Sequence, residues 1–330
     1  MTSRARPNKT DRLYSALTAL LGSSAFLFLF MILGVLLIYS YPSEVVNGLK
    51  FFVTSRWSVP DTPVIVVNGF KILQGASYGI FISFVGTLIT SGMALVIGVP
   101  LSLGIAMLLT QYSPKVVATP ISFAVELLAG IPSIIYGLWG LLVLRPFLAA
   151  YVEPPVASSL GSVSGAFQLR PIPGLLASGL ILAIMIVPIV AAISRDAMSQ
   201  TPRELTDGGK ALGLTKWEVT RKIVLPFAKT GIIGSVILGL GRALGETMAV
   251  AMVSGGAGYL PTSIFGTINT MAAFLALNFG DTSDASGFTI YALAELALLL
   301  LATTMVVNVV ARLLVRRGFF SGGAEHMVQV

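Results

Sequence analysis

The sequence of 330 residues contains no cysteine and a single histidine, His326. The missing thiols exclude disulfide bonds, thiol nucleophiles and thiolate metal sites, and one histidine in a polar tail gives metal or triad chemistry no basis. Charged residues make up only 11% of the chain, whereas a soluble domain has roughly a quarter. With 55% hydrophobic residues and a mean hydropathy of +0.89, the chain is predicted to be an all-α polytopic membrane protein embedded in a lipid bilayer.

The basic residues are distributed unevenly, and their distribution predicts the topology. The net charge of +7 reflects cytoplasmic loops in a protein of this kind, so we expect no nucleic-acid partner. Long apolar segments predict six transmembrane helices, at about 13–40, 80–109, 117–142, 175–194, 228–254 and 288–314. The segments then placed inside hold 15 of the 21 Lys and Arg side chains, and those placed outside hold five. We therefore predict a multi-pass cell-membrane protein with both termini cytoplasmic.

The same pattern divides the chain into regions. They are a cytoplasmic tail (1–12), a first transmembrane helix (13–40), an exterior loop (41–79), a transmembrane domain (80–317) and a second cytoplasmic tail (318–330). The first helix is predicted to stay uncleaved, because it exceeds the ~7–15 residues of a signal-peptide core. Within the exterior segment 255–287, residues 264–279 are apolar enough for a re-entrant or surface-lying helix.

One polar stretch, Thr201–Pro226, lies inside a predicted cytoplasmic loop (195–227) and concentrates basic residues between two apolar segments. Thr201–Glu204 and Thr215–Glu218 both have the Thr-x-x-Glu spacing of a capping box, which marks the start of a helix. Three glycines between the two boxes favour a turn. The stretch is therefore predicted to form a helix, a turn and a second helix beside the membrane.

This stretch resembles the cytoplasmic "EAA" loop of ABC-importer permeases, in which Glu-Ala-Ala, three residues, Gly and nine residues precede Ile-x-Leu-Pro. The matching positions are Asp207, Gly208, Gly209, Gly213, Ile223, Leu225 and Pro226. The spacing is kept, although Asp-Gly-Gly stands in place of Glu-Ala-Ala. In such permeases the loop docks into the ATP-hydrolysing subunit, so the resemblance implies that these residues, with Glu204, couple the chain to an ATPase.

Four charged side chains fall in the interior of predicted spans, away from the span ends: Glu126, Arg242, Glu246 and Glu295. A charge at the centre of a span costs about 2.5–3.5 kcal/mol on insertion scales, so each requires a reason. Arg242 and Glu246 are four residues apart, so we expect them on one helix face and within reach of each other. An arginine fork suits a tetrahedral oxyanion, which makes this pair a candidate substrate path; an ion pair that only neutralises itself is the alternative. Glu126 and Glu295 are possible further path residues or purely structural ones.

Glycines surround this pair, and Gly241 and Gly245 form a Gly-x-x-x-Gly motif. Such a motif lets a second helix approach closely. We therefore predict that the fifth span contacts another membrane subunit.

Three segments resemble the phosphate ABC-importer permease of the PstC type: 239–248 (GLGRALGETM), 126–140 (ELLAGIPSIIYGLWG) and 269–281 (NTMAAFLALNFGD). The resemblance implies the type I (MetI-like) permease fold and a role for Arg242 and Glu246 in moving phosphate. It also implies a second homologous permease, two ATP-binding subunits and an extracytoplasmic phosphate-binding protein as partners, with no cofactor or metal.

The chain contains no Gly-x-x-x-x-Gly-Lys-Ser/Thr phosphate loop, so it is not expected to hydrolyse ATP or to act as an enzyme. Two other functions remain open from the sequence. One is an ABC permease for a different oxyanion, such as molybdate or sulfate. The other is an ion-coupled secondary carrier, a class that often carries internal repeats.

Overall fold

The computed structural model describes residues 9–169, 174–256, 258–280 and 284–320. Within these ranges six helical stretches are long and apolar enough to cross a membrane. They are Leu13–Asn47, Phe81–Tyr112, Ser133–Leu160, Leu175–Ser199, Lys216–Gly245 and Thr289–Leu313. The predicted number of spans is confirmed. Most of the two predicted tails, 1–8 and 321–330, lies outside the described residues.

The helices in chain order are α1 Lys9–Asn47, α2 Lys50–Val53, α3 Phe81–Met107, α4 Lys115–Ala129, α5 Ser133–Trp139, α6 Arg145–Phe147, α7 Glu153–Leu160, α8 Leu175–Ser199, α9 Arg203–Ala211, α10 Lys216–Val219, α11 Leu225–Gly245, α12 Met248–Val253, α13 Met271–Asn278 and α14 Thr289–Phe320. Wider π-helical turns extend α3 and join α5 to α6, α6 to α7 and α10 to α11. The third and fifth spans therefore each combine several shorter helices.

Two small antiparallel strand pairs occupy the predicted exterior loop. The pairs are β1 Trp57–Ser58 with β4 Ser77–Tyr78, and β2 Val64–Val67 with β3 Phe70–Leu73. Asn68 and Gly69 connect β2 to β3 with positive φ angles of 50° and 88°, which is the Asn-Gly chemistry favoured in tight hairpins. The β1–β4 pair packs onto the helices. The Trp57 ring of β1 contacts Tyr78 of β4 and Phe274 of α13 edge-on.

Helix α8 is the centre of the bundle. Two thirds (67%) of its most apolar window is buried, against 28% or less for the other five spans. Helices α3 and α11 approach it through glycines: a Cβ at Gly98 would lie 2.8 Å from Ile186, and one at Gly239 would lie 2.8 Å from Val190. Because Val190 is roughly halfway along α8, the Gly239 contact fixes that part of α11 near the middle of the spans.

The predicted third span (117–142) is divided in the structure. Helix α4 ends at Ala129, Pro132 adopts an extended backbone, and α5 then begins a new helical stretch that continues to Leu160. Pro132 has no backbone N–H and disfavours helical geometry in the residue before it, so the break is expected at this point. The helical stretch continues as far as Leu160, well beyond the predicted end of the third span at 142.

In the predicted exterior segment 255–287, the apolar part (264–279) contains α13, which is too short to cross a membrane. Its first residues are buried, and the Met271 backbone N–H donates to the Thr87 hydroxyl of α3 at 2.9 Å. The prediction of a helix that does not span is therefore confirmed for residues 271–278. Helices α1 and α14 pack along each other at the edge of the bundle, and the apolar window of α1 is 0% buried.

Candidate functional site

The fifth span is broken at the predicted substrate-path residues, Arg242 and Glu246. Helix α11 ends at Gly245, Glu246 adopts an extended backbone (φ −69°, ψ 127°), and α12 begins at Met248. Glu246 is buried, and its Oε1 accepts a hydrogen bond from the Ala249 backbone N–H at 3.2 Å. The carboxylate thus satisfies one of the donors that a helix start leaves free in a membrane.

The expected face-to-face pairing of Arg242 and Glu246 is wrong. The helical spacing of four residues applies only while the helix continues, and α11 stops one residue before Glu246. The extended backbone turns the Glu246 carboxylate toward α12, where it binds Ala249 instead. Among the described residues, no ion pair joins Arg242 to any acidic side chain.

Arg242 is therefore an unpaired charge within a membrane span. Its side chain is exposed on the surface of the chain and makes no hydrogen bond among the described residues. It lies one helical turn beyond Gly239, which contacts Val190 near the middle of α8. A central arginine in lipid costs about 2.5–3.5 kcal/mol on insertion scales. An oxyanion, a water-filled path or a partner subunit must therefore meet this guanidinium.

The break between α4 and α5 lies beside the break between α11 and α12. Arg242 is close enough to Tyr136 of α5 for the two side chains to interact electrostatically. The Tyr136 hydroxyl donates to the Leu128 carbonyl at 2.8 Å, across the break between α4 and α5. Next to Tyr136 on α5, a Cβ at Gly137 would lie 2.9 Å from the Ala249 Cα of α12. We call this meeting of the α4–α5 and α11–α12 breaks the double break.

Sequence reasoning missed Tyr136, although the residue lies in one of the three matched segments. Nothing in its local pattern distinguishes a tyrosine that ties two helices together from one that only fills the core. The sequence feature that could have indicated this site is the presence of two helix interruptions. One is Pro132 in the third span, and the other is the glycine-rich run before Glu246 in the fifth.

The structure does not bring Glu126 to the double break. Glu126 lies on α4 with an exposed side chain and accepts a hydrogen bond from Arg195 Nη1 at 3.0 Å. Arg195, at the end of α8, also binds Asp196 at 3.0 Å. An exposed pair of this kind contributes about 0–1 kcal/mol, and it gives Glu126 a structural reason to be present.

Glu295 is also separate from the double break. It lies near the start of α14 with 3% of its surface exposed, facing α1. At Gly241, the residue before Arg242, an added Cβ would lie 3.6 Å from the Asn308 side chain of α14. Asn308 is 13 residues beyond Glu295, which corresponds to about 20 Å along a helix. The space beside Gly241 is thus filled by α14 of the same chain, whereas a Cβ at Gly245 would meet nothing within 4 Å.

The predicted coupling loop forms two helices, α9 and α10, joined by a turn. At the start of α10 the capping box is complete: the Glu218 backbone N–H donates to the Thr215 hydroxyl at 3.3 Å, and Glu218 Oε2 accepts from the Thr215 backbone N–H at 3.0 Å. The predicted box at Thr201–Glu204 is wrong. Pro202 precedes the first residue of α9, no side chain caps that helix, and the buried Thr201 hydroxyl has no partner.

The three glycines of the loop have different surroundings. Gly213 has a φ of +82° and forms the turn, as predicted. Gly208 and Gly209 are not in the turn but within α9. A Cβ at Gly209 would lie 2.5 Å from Ile223 Cδ1, so the absence of a side chain allows α9 to pack against the helix leading into α11. We call α9, the turn and α10 the loop hairpin.

The outer surface of the loop hairpin is both charged and apolar. Lys210 Nζ donates to Asp207 Oδ1 at 2.8 Å, and this hydrogen bond holds the pKa of Asp207 below its ordinary value. Leu212 is 85% exposed and Trp217 is 52% exposed, on either side of the turn. Of the remaining predicted coupling residues, Glu204, Gly208 and Pro226 are exposed, and Ile223 and Leu225 are partly buried.

Comparison with known proteins identifies the family. Residues 98–318 match the family described as binding-protein-dependent transport system inner membrane component. The phosphate transport system permease protein PstC 1 of Mycobacterium tuberculosis is 43% identical, covering 82% of each chain. PstC of Haemophilus influenzae is 40% identical, covering 93% of each chain.

Among solved structures, an inward-facing MetNI methionine ABC transporter is 19% identical, covers 72% of this chain and 94% of that chain, and has a TM-score of 0.49. The sequence matches are far stronger than this structural one, and they agree with the six apolar helices. The chain is a multi-pass inner-membrane transport protein and belongs to the binding-protein-dependent transport system inner membrane component family.

Proposed function

We propose that this chain is a permease subunit of an ATP-driven importer of inorganic phosphate, and that Arg242 contacts the ion as it crosses. The observation that carries the proposal is an exposed, unpaired arginine near the middle of the spans, at the double break. The similarity to phosphate transport permeases supports phosphate as the anion. A tetrahedral oxyanion can accept two parallel hydrogen bonds from one guanidinium, which no single ammonium can supply.

The other residues of the double break have positioning roles in this proposal. Glu246 caps α12 and keeps its carboxylate turned away from Arg242, so the guanidinium stays available. Tyr136 ties α5 back to α4 through Leu128 and so fixes one wall beside the arginine. Because Arg242 is on the outside of this chain, the path is completed by a second, homologous permease.

The loop hairpin is the proposed contact with the ATPase subunits. Two large apolar side chains, Leu212 and Trp217, are exposed at its outer end, and exposed apolar groups rimmed by charge are typical of protein interfaces. The helical stretch from Lys216 continues to Gly245. A displacement of the hairpin by an ATP-driven partner is therefore transmitted along one continuous element to Arg242.

The complete importer in this proposal has two permeases, two ATP-binding subunits on the cytoplasmic side and an exterior phosphate-binding protein. Both termini and the loop hairpin face the cytoplasm, as the distribution of basic residues predicts. ATP hydrolysis belongs to the partners, and the permease alternates between outward-facing and inward-facing states.

The test is uptake of radiolabelled phosphate by the assembled transporter in proteoliposomes that contain ATP. We expect uptake that requires ATP and the binding protein, and that a hundredfold excess of sulfate or molybdate leaves nearly unchanged. Equal competition by either anion would indicate the alternative oxyanion permease. Uptake by this chain without the ATPase would indicate a secondary carrier.

A further inference from the structure

A groove of about 440 Å³ lies between the end of α1 and the first half of α14, and two carboxylates line it, Glu44 and Glu295. Glu44 is exposed and accepts a hydrogen bond from the Ser40 hydroxyl at 2.8 Å. Glu295 is 3% exposed, and neither of its carboxylate oxygens has a partner at full hydrogen-bond geometry. The Ser43 hydroxyl acts on the carboxylate as a weak hydrogen bond, while Glu44 adds a second negative charge.

The buried carboxylate has no role in the proposed path, from which it is separated by about 20 Å along α14. Burying an acidic group without partners is costly, so such groups are retained where something satisfies them. No basic side chain of the described residues lines the groove. Two neighbouring carboxylates and no base therefore select for a cationic group with several donors.

The rest of the groove is apolar and continues toward the middle of the membrane. Leu298, Leu299 and Ala302 extend it from Glu295 along α14, a distance of about 10 Å. The apolar window of α1 is 0% buried in this chain, so the described residues leave this edge of the bundle open to lipid. On another face of α14, a groove of about 240 Å³ beside Tyr39 and Leu293 is lined by apolar and aromatic residues with no carboxylate.

We propose that the groove with Glu44 and Glu295 binds an aminophospholipid. The primary ammonium lies between the two carboxylates and donates to both, and an acyl chain follows Leu298 and Ala302. A primary ammonium has three donors, whereas a quaternary choline group has none and an anionic headgroup is repelled. The groove therefore distinguishes lipids by headgroup, in contrast to the wholly apolar groove near Tyr39.

The test uses the assembled transporter, stripped of lipid in detergent and titrated with phosphatidylethanolamine, phosphatidylcholine or phosphatidylglycerol of identical acyl chains. Bound lipid is counted by native mass spectrometry. We expect phosphatidylethanolamine to bind at least about tenfold (about 1.4 kcal/mol) more tightly than the other two, because only its headgroup brings charged N–H donors to the two carboxylates. The variant Glu44→Gln with Glu295→Gln should lose this preference while keeping weak binding of all three.

A matched control is Glu153→Gln. Glu153 is 2% exposed and has an unpartnered Oε1, as Glu295 does, but it belongs to the third span and does not line the groove. This variant should keep the full preference. Glu44→Gln alone changes an exposed group and should lower the preference even if the double variant does not fold.

Three results would overturn the proposal: equal binding of the three lipids, an unchanged preference in the double variant, or cross-linking of Leu49→Cys in the groove to another subunit. None of these results depends on whether the transported ion is phosphate.

Discussion

The loop hairpin and the double break are both polar interruptions of the described bundle, and they differ in whether their charged side chains form ion pairs. In the hairpin region Lys210 binds Asp207 at 2.8 Å and Lys222 binds Glu218 at 3.2 Å. At the double break, Glu246 caps a helix and Arg242 is left without a partner. The hairpin lies outside the predicted bilayer, where unpaired charges are tolerated, and two ion pairs nevertheless form there. The span, where an unpaired charge is costly, leaves one free.

This difference separates structural from functional charges. A local pair such as Glu126 with Arg195 is explained by its own geometry and requires no ligand. A guanidinium kept free at a cost of about 2.5–3.5 kcal/mol requires something that is absent from the chain itself. Burial alone does not identify the proposed transport residue, since Glu295 is buried within a span yet lies away from the double break. An unpaired charge at the double break does.

The largest expected effect compares the two kinds of charge directly. Arg242→Gln removes the free guanidinium and should lower phosphate uptake at least about thirtyfold, since losing one partner of a desolvated charge contact costs about 2–5 kcal/mol. Glu126→Gln removes half of an exposed pair and should change uptake less than about twofold. Uptake per inserted transporter checks both. Similar losses in the two variants would break the distinction.

The next effect concerns the packing of the loop hairpin. Gly209→Val places a branched side chain against Ile223, which a Cβ alone would approach to 2.5 Å. We expect the ATPase subunit to be lost on co-purification and uptake to fall more than tenfold, with membrane insertion unchanged. Gly104→Val is the matched control, because Gly104 lies in α3 outside the predicted coupling residues and a Cβ there meets nothing within 4 Å; it should retain the ATPase.

A smaller effect is expected at the turn. Gly213 has space around it but a φ of +82°, so Gly213→Val introduces backbone strain of about 1–2 kcal/mol. ATPase retention and uptake should fall several-fold. Gly213→Asn should recover most of both, because asparagine tolerates the left-handed region. If valine and asparagine behaved alike, the turn geometry would not matter for docking.

The smallest effect is at the helix caps. Thr215→Ala removes a complete capping box and should destabilise α10 by about 1 kcal/mol, seen as faster amide hydrogen exchange over residues 215–220. Thr201→Ala removes a hydroxyl that has no partner and should leave exchange in α9 unchanged. Equal changes at both sites would mean that the first box forms after all.

The sequence predicted the features that depend on composition and local pattern. Six spans, the Gly213 turn and the Thr215–Glu218 cap follow from hydropathy, a glycine between two helix starts and side-chain spacing, and the structure has all three. The features it missed depend on where a helix stops and on contacts between residues far apart in the chain. Nothing in the spacing of Arg242 and Glu246 shows that α11 ends between them, and the Glu126–Arg195 pair joins residues 69 apart in the chain.

The central claim is that Arg242 is a ligand for the transported ion and not a counter-charge for Glu246. The most direct measurement is phosphate uptake, per inserted transporter, for Arg242→Lys and for Arg242→Gln combined with Glu246→Gln. A lysine keeps the charge but cannot make the two-pronged contact, and the double variant removes both charges and leaves no charged fork for phosphate. We expect both variants to be as poor as Arg242→Gln. Recovery of uptake by lysine or by the double variant would show that Arg242 only balances Glu246, and would contradict the proposed role.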